Sequence, residues 1–323
     1  MLNIVFMGTP DFAKDSLEAI YNRGYNILAV LTKEDKPQGR GMKLTATPVK
    51  QFAIEKNIPI YQPLKIKNNI ELINILKNLK PDIICVVAYG KILPKEILEI
   101  PKIGCINVHG SLLPKYRGAA PIQWAVINGD KTTGITTMYM DEDMDTGDMI
   151  LKKEIEICDN ETTGELWNKL SKIGADLLVE TLEKIENNTA PRIKQSGEFT
   201  MAPMIDKQIS KIKWNEQTSK QIKNLTRGLN PIMGTYSMLG GKKIKFWKID
   251  IVTEDDVKSI IKNDSNKNLV PGTIIISNEK QGLYIKTLDG AVKVLEIQGE
   301  NAKRMNIEDF IRGNKLEIGN IFE

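Results

Sequence analysis

Residues 106–114 read INVHGSLLP, and this stretch decides how the rest of the chain is interpreted. It completes an apolar run that starts at Ile103 and has the length of a buried β-strand, and it continues into a Gly-Ser turn. His109 lies at that junction and is the only histidine among 323 residues. Histidine can act as an acid, a base or a polar stabiliser near neutral pH. It can equally be a core residue with satisfied hydrogen bonds, so the surrounding sequence has to decide.

Apolar, strand-like runs alternate with helical patterns through the first half of the chain. This alternation predicts right-handed βαβ units and therefore an α/β fold, a Rossmann-like domain with a parallel sheet. Ligands bind such a sheet beyond the carboxyl ends of its strands, which is where Asn107 and His109 lie. The predicted strands are residues 2–7, 25–31, 83–87 and 103–108.

The turn after the first strand, Gly8-Thr9-Pro10, contains one glycine. A dinucleotide-binding turn has the pattern G-x-G-x-x-G, whose glycines let the backbone approach a pyrophosphate closely. The chain therefore lacks the signature of a nucleotide-dependent dehydrogenase.

A second loop, KPQGRGMK at residues 36–43, is basic and rich in glycine. It is longer than a plain connection needs to be. It is either a solvated loop or a segment in which Arg40, between two glycines, reaches a phosphate or a base edge. Its composition alone favours neither interpretation.

Composition limits the class of protein. The length suits two domains, and 41% hydrophobic with 27% charged residues is typical of a globular protein. We expect no membrane span, because no run of about eighteen apolar residues occurs, and no signal peptide precedes the first predicted strand. The three scattered cysteines predict reduced thiols in a cytoplasmic protein and make a structural zinc site improbable.

An acidic loop at residues 141–148, DEDMDTGD, follows a predicted strand at 136–140. Its carboxylates could bind a metal, but the Ca²⁺-loop pattern is incomplete because no glutamate lies twelve residues after the first ligand. The better interpretation is that one carboxylate of this loop partners His109 and orients its ring.

The residues together resemble a known family. Asn107, His109 and the SLLP turn, followed 36 residues after the histidine by Asp145-Thr146-Gly147, resemble the active-site pattern of the folate-dependent formyltransferases. Further segments are similar to the branch of that family that formylates methionyl-tRNA. These segments are FMGTP at 6–10, QGRG at 38–41, YRGAAPIQ at 116–123 and APM at 202–204.

The resemblance implies acyl transfer from 10-formyltetrahydrofolate to an amine through a tetrahedral intermediate, which needs oxyanion donors and a proton acceptor. It implies that Asn107 and His109 stabilise the oxyanion and that Asp145 holds His109 and manages protons through water. No covalent enzyme intermediate and no metal are required. The turn would line the folate pocket, unless it is merely a packed turn; its residues are Ser111, Leu112, Leu113 and Pro114.

The second half of the chain has a different character. Thr162 and Glu165 form a predicted capping box that starts a long amphipathic helix. A polar stretch at 189–204 then predicts a linker between a catalytic domain, 1–188, and a C-terminal domain, 205–323. Short strands punctuated by glycines predict a small β-barrel there, and in the family this domain is an open barrel resembling the OB-fold.

The C-terminal domain begins with a basic region. Between residues 206 and 248, ten basic residues outnumber two acidic ones, and aromatic residues lie among them. Such a region suits a phosphate backbone, although it could also be an ordinary solvated face. Together with the resemblance it predicts that initiator methionyl-tRNA binds here. We also expect the protein to be a monomer. The candidate tRNA-binding residues are Arg40, Lys43, Lys207 and Lys245.

Two other classes remain open. A purine-pathway or sugar-amine formyltransferase would leave the basic region and the Arg40 loop without a role. A nucleotide-binding or regulatory RNA-binding protein without chemistry would leave Asn107, His109 and Asp145 unexplained.

Overall fold

The computed structural model describes residues 1–38, 42–260 and 269–323. These residues divide into two units. Unit 1 consists of residues 1–122, 132–156 and 166–203, and unit 2 consists of residues 123–131, 157–165 and 204–323. Two short segments of the first half, 123–131 and 157–165, therefore belong to unit 2. The predicted domains, with contiguous boundaries at 188 and 205, do not include this division.

Unit 1 is built on a seven-stranded sheet with the strand order β5-β2-β1-β6-β7-β8-β9, and a separate hairpin joins β3 to β4. The strands are β1 Asn3–Gly8, β2 Asn26–Leu31, β3 Lys36–Gln38, β4 Lys43–Thr45, β5 Ile60–Tyr61, β6 Ile83–Val87, β7 Gly104–His109, β8 Thr132–Tyr139 and β9 Met149–Glu156.

The sheet is parallel from β5 to β7, as the βαβ pattern predicts. The last two strands are antiparallel, β8 to β7 and β9 to β8, so the sheet is mixed rather than wholly parallel. The reason lies in the connection, because β9 follows β8 through a loop that is too short to hold a crossover helix. That loop carries the acidic residues. It leaves β8 at the edge where β7 begins, since the Met140 amide donates to the Cys105 carbonyl at 2.8 Å, and it then folds back to bring Asp145 near Asn107 and His109.

The first four helices of the chain pack apolar side chains on this sheet. Thr47 accepts a hydrogen bond from the Lys50 amide at 3.1 Å and starts α2. Thr162 and Glu165 form the predicted capping box, with bonds of 2.8 and 3.3 Å. Among the described residues, no helix combines the length and the apolar character that a membrane crossing requires. The helices are α1 Asp11–Asn22, α2 Pro48–Glu55, α3 Ile70–Leu79, α4 Lys95–Leu98, α5 Pro121–Asn128 and α6 Thr163–Glu186.

The segment predicted to be a linker belongs to unit 1 as far as Pro203. Ile193 exchanges two backbone hydrogen bonds with Met149, at 2.8 and 2.9 Å. Farther along, the Arg117 amide donates to the Thr200 carbonyl at 2.8 Å, and the Ala202 amide donates to the Arg117 carbonyl at 2.7 Å. We call residues 193–202 the strap, because both of its ends are hydrogen-bonded to other segments of unit 1, at Met149 and at Arg117.

Unit 2 contains a six-stranded antiparallel sheet with the order β10-β11-β14-β13-β12, and β15 pairs with β14. Its elements are α7 Ser219–Gly228, β10 Thr235–Leu239, β11 Lys242–Val252, α8 Glu254–Ile260, β12 Ile274–Asn278, β13 Gly282–Lys286, β14 Ala291–Gln298, β15 Met305–Asn306 and α9 Ile307–Gly313.

The C-terminal residues connect the two edges of this sheet. Glu323 exchanges backbone hydrogen bonds with Met238 on β10, at 2.9 and 3.0 Å. The Ile274 amide of β12 donates to the Asn320 carbonyl at 2.8 Å. Phe322 packs edge-to-face on Phe246 in the hydrophobic core of unit 2, with ring centroids 5.3 Å apart. The tail therefore bridges both edges and gives the sheet the nearly closed form of a small barrel.

Candidate active site

β7 brings two polar side chains to one side of the sheet, because residues two apart on a strand point the same way. Asn107 pairs with Met138 of β8, and His109, the last residue of β7, pairs with Thr136. His109 is 5% exposed. The only histidine of the chain is therefore a buried group at the carboxyl end of a central strand.

The loop between β8 and β9 supplies the carboxylate. Asp145 has a left-handed backbone with φ of 56°, and its Oδ2 accepts a hydrogen bond from the Gly118 amide at 2.8 Å. Gly147 fits only without a side chain, because a Cβ there would lie 1.8 Å from the Tyr139 carbonyl oxygen. The loop is thus pressed against β8, which directs Asp145 toward His109.

Two nitrogen atoms converge on the other carboxylate oxygen. Asn107 Nδ2 lies 3.4 Å from Asp145 Oδ1, and His109 Nδ1 lies 3.6 Å from the same atom. Both distances exceed those of a good hydrogen bond, whereas Oδ2 is firmly held. The three atoms therefore lie close together without strong hydrogen bonds between them: Asp145 Oδ1, Asn107 Nδ2 and His109 Nδ1. Their hydrogen-bonding capacity is left for a substrate oxygen or a water molecule.

The far side of the histidine ring fixes its tautomer. His109 Nε2 lies 2.9 Å from the Tyr116 carbonyl oxygen. A carbonyl oxygen can only accept a hydrogen bond, so Nε2 must carry a proton. Nδ1 is consequently the nitrogen that faces Asp145, and it can donate a hydrogen bond only in the imidazolium form.

We expect ¹⁵N-histidine NMR to show a single imidazole whose neutral form carries its proton on Nε2. The Tyr116 carbonyl accepts a hydrogen bond from that proton. Because the chain has one histidine, the spectrum needs no assignment. A neutral form with the proton on Nδ1 would contradict the observed geometry.

The predicted folate turn is held by buried polar contacts. The Leu113 amide donates to Thr136 Oγ1 at 3.1 Å, and that hydroxyl donates to the Ser111 carbonyl at 2.7 Å. Lys152 Nζ donates to the Leu113 carbonyl at 2.5 Å, and burial lowers the pKa of this lysine. Ser111 and Leu113 are buried, while Leu112 and Pro114 are half-buried.

Sequence reasoning assigned no role in the site to Thr136, Lys152, Tyr116 or Gly118. Tyr116 and Gly118 nevertheless lie in the YRGAAPIQ segment and Thr136 lies in the segment 134–136, and both segments match the family's pattern. Lys152 is 39 residues from its acceptor, and pairs at such separations have no local signature. Thr136 is one of four threonines in β8, so its residue type alone does not distinguish it.

The candidate tRNA-binding residues differ in how far the structure describes them. Arg40 lies outside the described residues, and so does the side chain of Lys43, whose backbone belongs to β4. Lys207 is exposed. Lys245 Nζ donates to the Met233 carbonyl at 3.1 Å and lies 5.4 Å from the Trp247 ring centre. Burial, followed by the charges of Lys243 and Lys207, lowers the pKa of Lys245.

We call Lys207, Lys243 and Lys245 the lysine cluster of unit 2, because their charges act on one another. Lys243 also lies 3.7 Å from the Tyr236 ring centre. Positive charge beside aromatic rings suits a phosphate backbone with nearby bases.

Within the parts of the chain that the structure describes, no three His, Cys, Asp or Glu side chains form a group that could hold a metal ion. Cys85 and Cys105 are buried free thiols, and Cys158 is exposed. Burial raises the pKa of Cys105 to about 12, which makes it a poor nucleophile.

Sequence comparison connects both units with one family. The family described as "Formyl transferase" matches residues 2–182, and "Formyl transferase, C-terminal domain" matches residues 204–315. A protein of Clostridioides difficile (strain 630) named "Methionyl-tRNA formyltransferase" is 49% identical over 98% of this chain and 99% of that protein.

Two solved structures share the fold. An N-formyltransferase from Helicobacter canadensis, in complex with folinic acid and dTDP-3-aminofucose, has 21% identity and a TM-score of 0.66, with 93% of this chain and 100% of that chain covered. A variant of HypX from Aquifex aeolicus has 14% identity and a TM-score of 0.63 over 98% of this chain. The match spans about half of HypX, 49% of that chain.

Proposed function

The chain belongs to the formyl transferase family, and from this premise we propose that it formylates initiator methionyl-tRNA. The donor is 10-formyltetrahydrofolate, and the product, N-formylmethionyl-tRNA, serves translation initiation in the cytoplasm. The observation that carries this choice of substrate is the near-full-length match to a methionyl-tRNA formyltransferase. We propose further that the enzyme acts as a monomer.

The reaction joins the methionyl nitrogen to the formyl carbon. The amine attacks that carbon, the carbonyl oxygen becomes an oxyanion, and the bond from the carbon to N10 of the folate then breaks. The attacking nitrogen loses a proton, and N10 gains one. Catalysis therefore requires hydrogen-bond donors at the oxyanion and a group that moves protons between the two nitrogens.

We assign the donor role to Asn107 Nδ2 and His109 Nδ1, because both nitrogens point into the same small space. Asp145 Oδ1 would orient the protonated His109 and accept the proton of the amine through a water molecule. The hydrogen bond from the Gly118 amide supports these roles of Asp145, since it fixes Oδ2 and leaves Oδ1 free to react. No step requires a covalent intermediate on the protein.

We propose that the turn from Ser111 to Pro114 supports the folate. Buried Ser111 and Leu113 give the turn its shape, and half-buried Leu112 and Pro114 offer the surface that a ligand can reach. Thr136 and Lys152 keep the turn rigid through the carbonyls of Ser111 and Leu113.

We propose that residues 1–188 carry the chemistry and that residues 205–323, joined through 189–204, bind tRNA. The lysine cluster is the part of unit 2 that would contact phosphates, and Arg40 with Lys43 would contact the acceptor end. Arg227 has a different role. Its side chain is buried and donates to the carbonyls of Cys158 and Glu161, which ties residues 157–165 to α7.

The decisive experiment is a formylation assay with purified protein and 10-formyltetrahydrofolate. Initiator and elongator methionyl-tRNA are compared in parallel, with a dTDP-linked amino sugar as a third acceptor. We expect formylation of the initiator tRNA in strong preference to the other two. Absence of N-formylmethionyl-tRNA, or efficient formylation of the sugar, would refute the proposal.

Lys207→Gln should weaken methionyl-tRNA binding several-fold and reduce the slope of log K against log salt by roughly one. The physical reason is that one phosphate contact fewer releases about one counterion fewer on binding. Filter binding at several salt concentrations measures both quantities. Lys280→Gln makes the same charge change in the turn between β12 and β13 and is the matched control. Equal slopes for the two variants would remove Lys207 from the tRNA contact surface.

A further inference from the structure

The strap passes close to both loops that complete the site. One is the loop of Asp145, which follows β8. The other contains Tyr116 and Gly118, which contact His109 and Asp145 respectively. The strap is hydrogen-bonded to the start of β9 at Ile193 and to Arg117 at Thr200 and Ala202. It therefore lies across the two loops that set the relative positions of the histidine and the aspartate.

One strap side chain joins these loops directly. Gln195 Nε2 donates to the carbonyl of Asp145 at 2.8 Å and to that of Gly147 at 2.9 Å. Gln195 Oε1 accepts two hydrogen bonds from Arg117, from Nε at 3.1 Å and from Nη2 at 2.7 Å. Both donors and the oxygen of the amide are thus used, and the Arg117 bonds are charge-assisted.

We call the hydrogen bonds of Gln195 to Arg117, Asp145 and Gly147 the bridge. The backbone on either side of the bridge is unusual. Asp145 and Tyr116 are non-glycine residues with left-handed backbones, at φ of 56° and 61°. Such conformations persist where surrounding contacts hold them. The Gln195 amide holds the carbonyl of Asp145 itself, so it bears on the direction in which that side chain points.

Through Arg117 the bridge acts on both His109 and Asp145. Its neighbour Tyr116 supplies the carbonyl bonded to His109 Nε2, and its other neighbour Gly118 supplies the amide bonded to Asp145 Oδ2. The Arg117 guanidinium also lies over the Phe199 ring of the strap, 4.8 Å from its centre. A shift of Arg117 would consequently move both contacts at once.

We propose that Gln195 is a positioning residue that holds the Asp145 carboxylate and the His109 ring at their working separation. This inference rests on the proposed function, in which Asp145 and His109 act together. Gln195 touches neither substrate nor reacting atoms in this assignment. Its effect passes through the Asp145 backbone on one side and through Arg117 on the other.

Three variants test the bridge. Gln195→Met keeps the length of the side chain and removes all four hydrogen bonds. Gln195→Glu keeps an acceptor for Arg117 but replaces the donor that faces two carbonyls. Lys194→Met makes a substitution at the neighbouring exposed position of the strap and is the control.

For Gln195→Met we expect kcat to fall by about tenfold to a hundredfold, because a displacement of about 1 Å has effects of this size. The affinity for methionyl-tRNA should stay within about twofold. For Gln195→Glu we expect a comparable loss, because the carboxylate beside Arg117 only accepts hydrogen bonds and the carbonyls of Asp145 and Gly147 both lose their donor. Lys194→Met should match the wild type.

NMR of the single histidine gives a readout independent of activity. We expect the ¹⁵N and ring-proton chemical shifts of His109 to change in Gln195→Met at a fixed pH, since Asp145 Oδ1 lies 3.6 Å from Nδ1 and would be displaced. A merely structural residue would lower the melting temperature and leave these chemical shifts unchanged. Wild-type kcat together with wild-type His109 chemical shifts in Gln195→Met would overturn the proposal.

If Gln195→Met does not fold, Gln195→Asn decides, because it keeps the amide but cannot span both loops. Wild-type kcat and wild-type His109 chemical shifts in that variant overturn the proposal, and a fall in kcat with changed chemical shifts supports it. If the wild type forms no N-formylmethionyl-tRNA, the proposed function fails. The His109 chemical shifts then still show whether Gln195 positions Asp145.

Discussion

Replacing Asp145 with asparagine is expected to lower kcat for formylation by about three orders of magnitude or more. The asparagine oxygen can still accept the hydrogen bond of the Gly118 amide, so the loop should keep its shape. What is lost is the negative charge at the position of Oδ1, 3.6 Å from His109 Nδ1. His109 then has no partner that stabilises its protonated form, and the amine proton has no acceptor.

Steady-state kinetics over a range of pH, with a tRNA-binding assay alongside, would measure this effect. We expect kcat and kcat/KM for methionyl-tRNA to fall together, which is the signature of an interaction made in the transition state. Asp143→Asn is the matched control, because Asp143 is an exposed carboxylate two residues earlier in the same loop. A loss of tRNA affinity in place of turnover would show that Asp145 binds substrate and does not act in the chemistry.

The parts of this site that lie on one strand could be predicted from the sequence. Asn107 and His109 are two residues apart, so a strand necessarily places them on one side, and a parallel sheet places its ligands at that end. Asp145 could not be located by such reasoning. Periodicity does not reveal strand direction, and the acidic loop leaves β8 at the edge where β7 begins before it folds back to His109. Only the resemblance to a known active site identified it.

The strap shows a second limit. The strap contains Gly197 and lies between Pro191 and Pro203, so local rules predict a linker. Its contacts are made 48, 50 and 78 residues away, to Gly147, Asp145 and Arg117. A glutamine on an exposed segment has no local signal that distinguishes a bridging residue from a solvated one.

Unit 2 shows the same contrast between local and distant information. Phe246 of β11 is buried, whereas Lys243 and Lys248 of the same strand are exposed, as apolar and charged residues usually are. Burial nevertheless lowers the pKa of Lys245, and the final four residues bridge the two edges of the sheet by pairing with residues that lie far away in sequence. Charge counts along the chain cannot supply either fact.

Asn107→Ala is expected to reduce kcat by about a hundredfold to a thousandfold, the usual cost of removing one oxyanion donor. The Asn107 amide does not titrate, so the reduction should be the same at every pH, whereas Asp145→Asn should change the shape of the pH profile. Asn26→Ala is the matched control. Asn26 is exposed and begins β2, at the end of the parallel sheet opposite to His109.

The double variant Asn107→Ala with Asp145→Asn adds a quantitative test of the shared space around Oδ1. Residues that contact one another and act as a unit give non-additive effects, so the double variant should lose much less than the product of the two single losses. Fully multiplicative losses would mean that the two side chains act on separate parts of the reaction. Unchanged turnover in Asn107→Ala alone would remove Asn107 from the oxyanion site and leave His109 as its sole side-chain donor in the assignment made above.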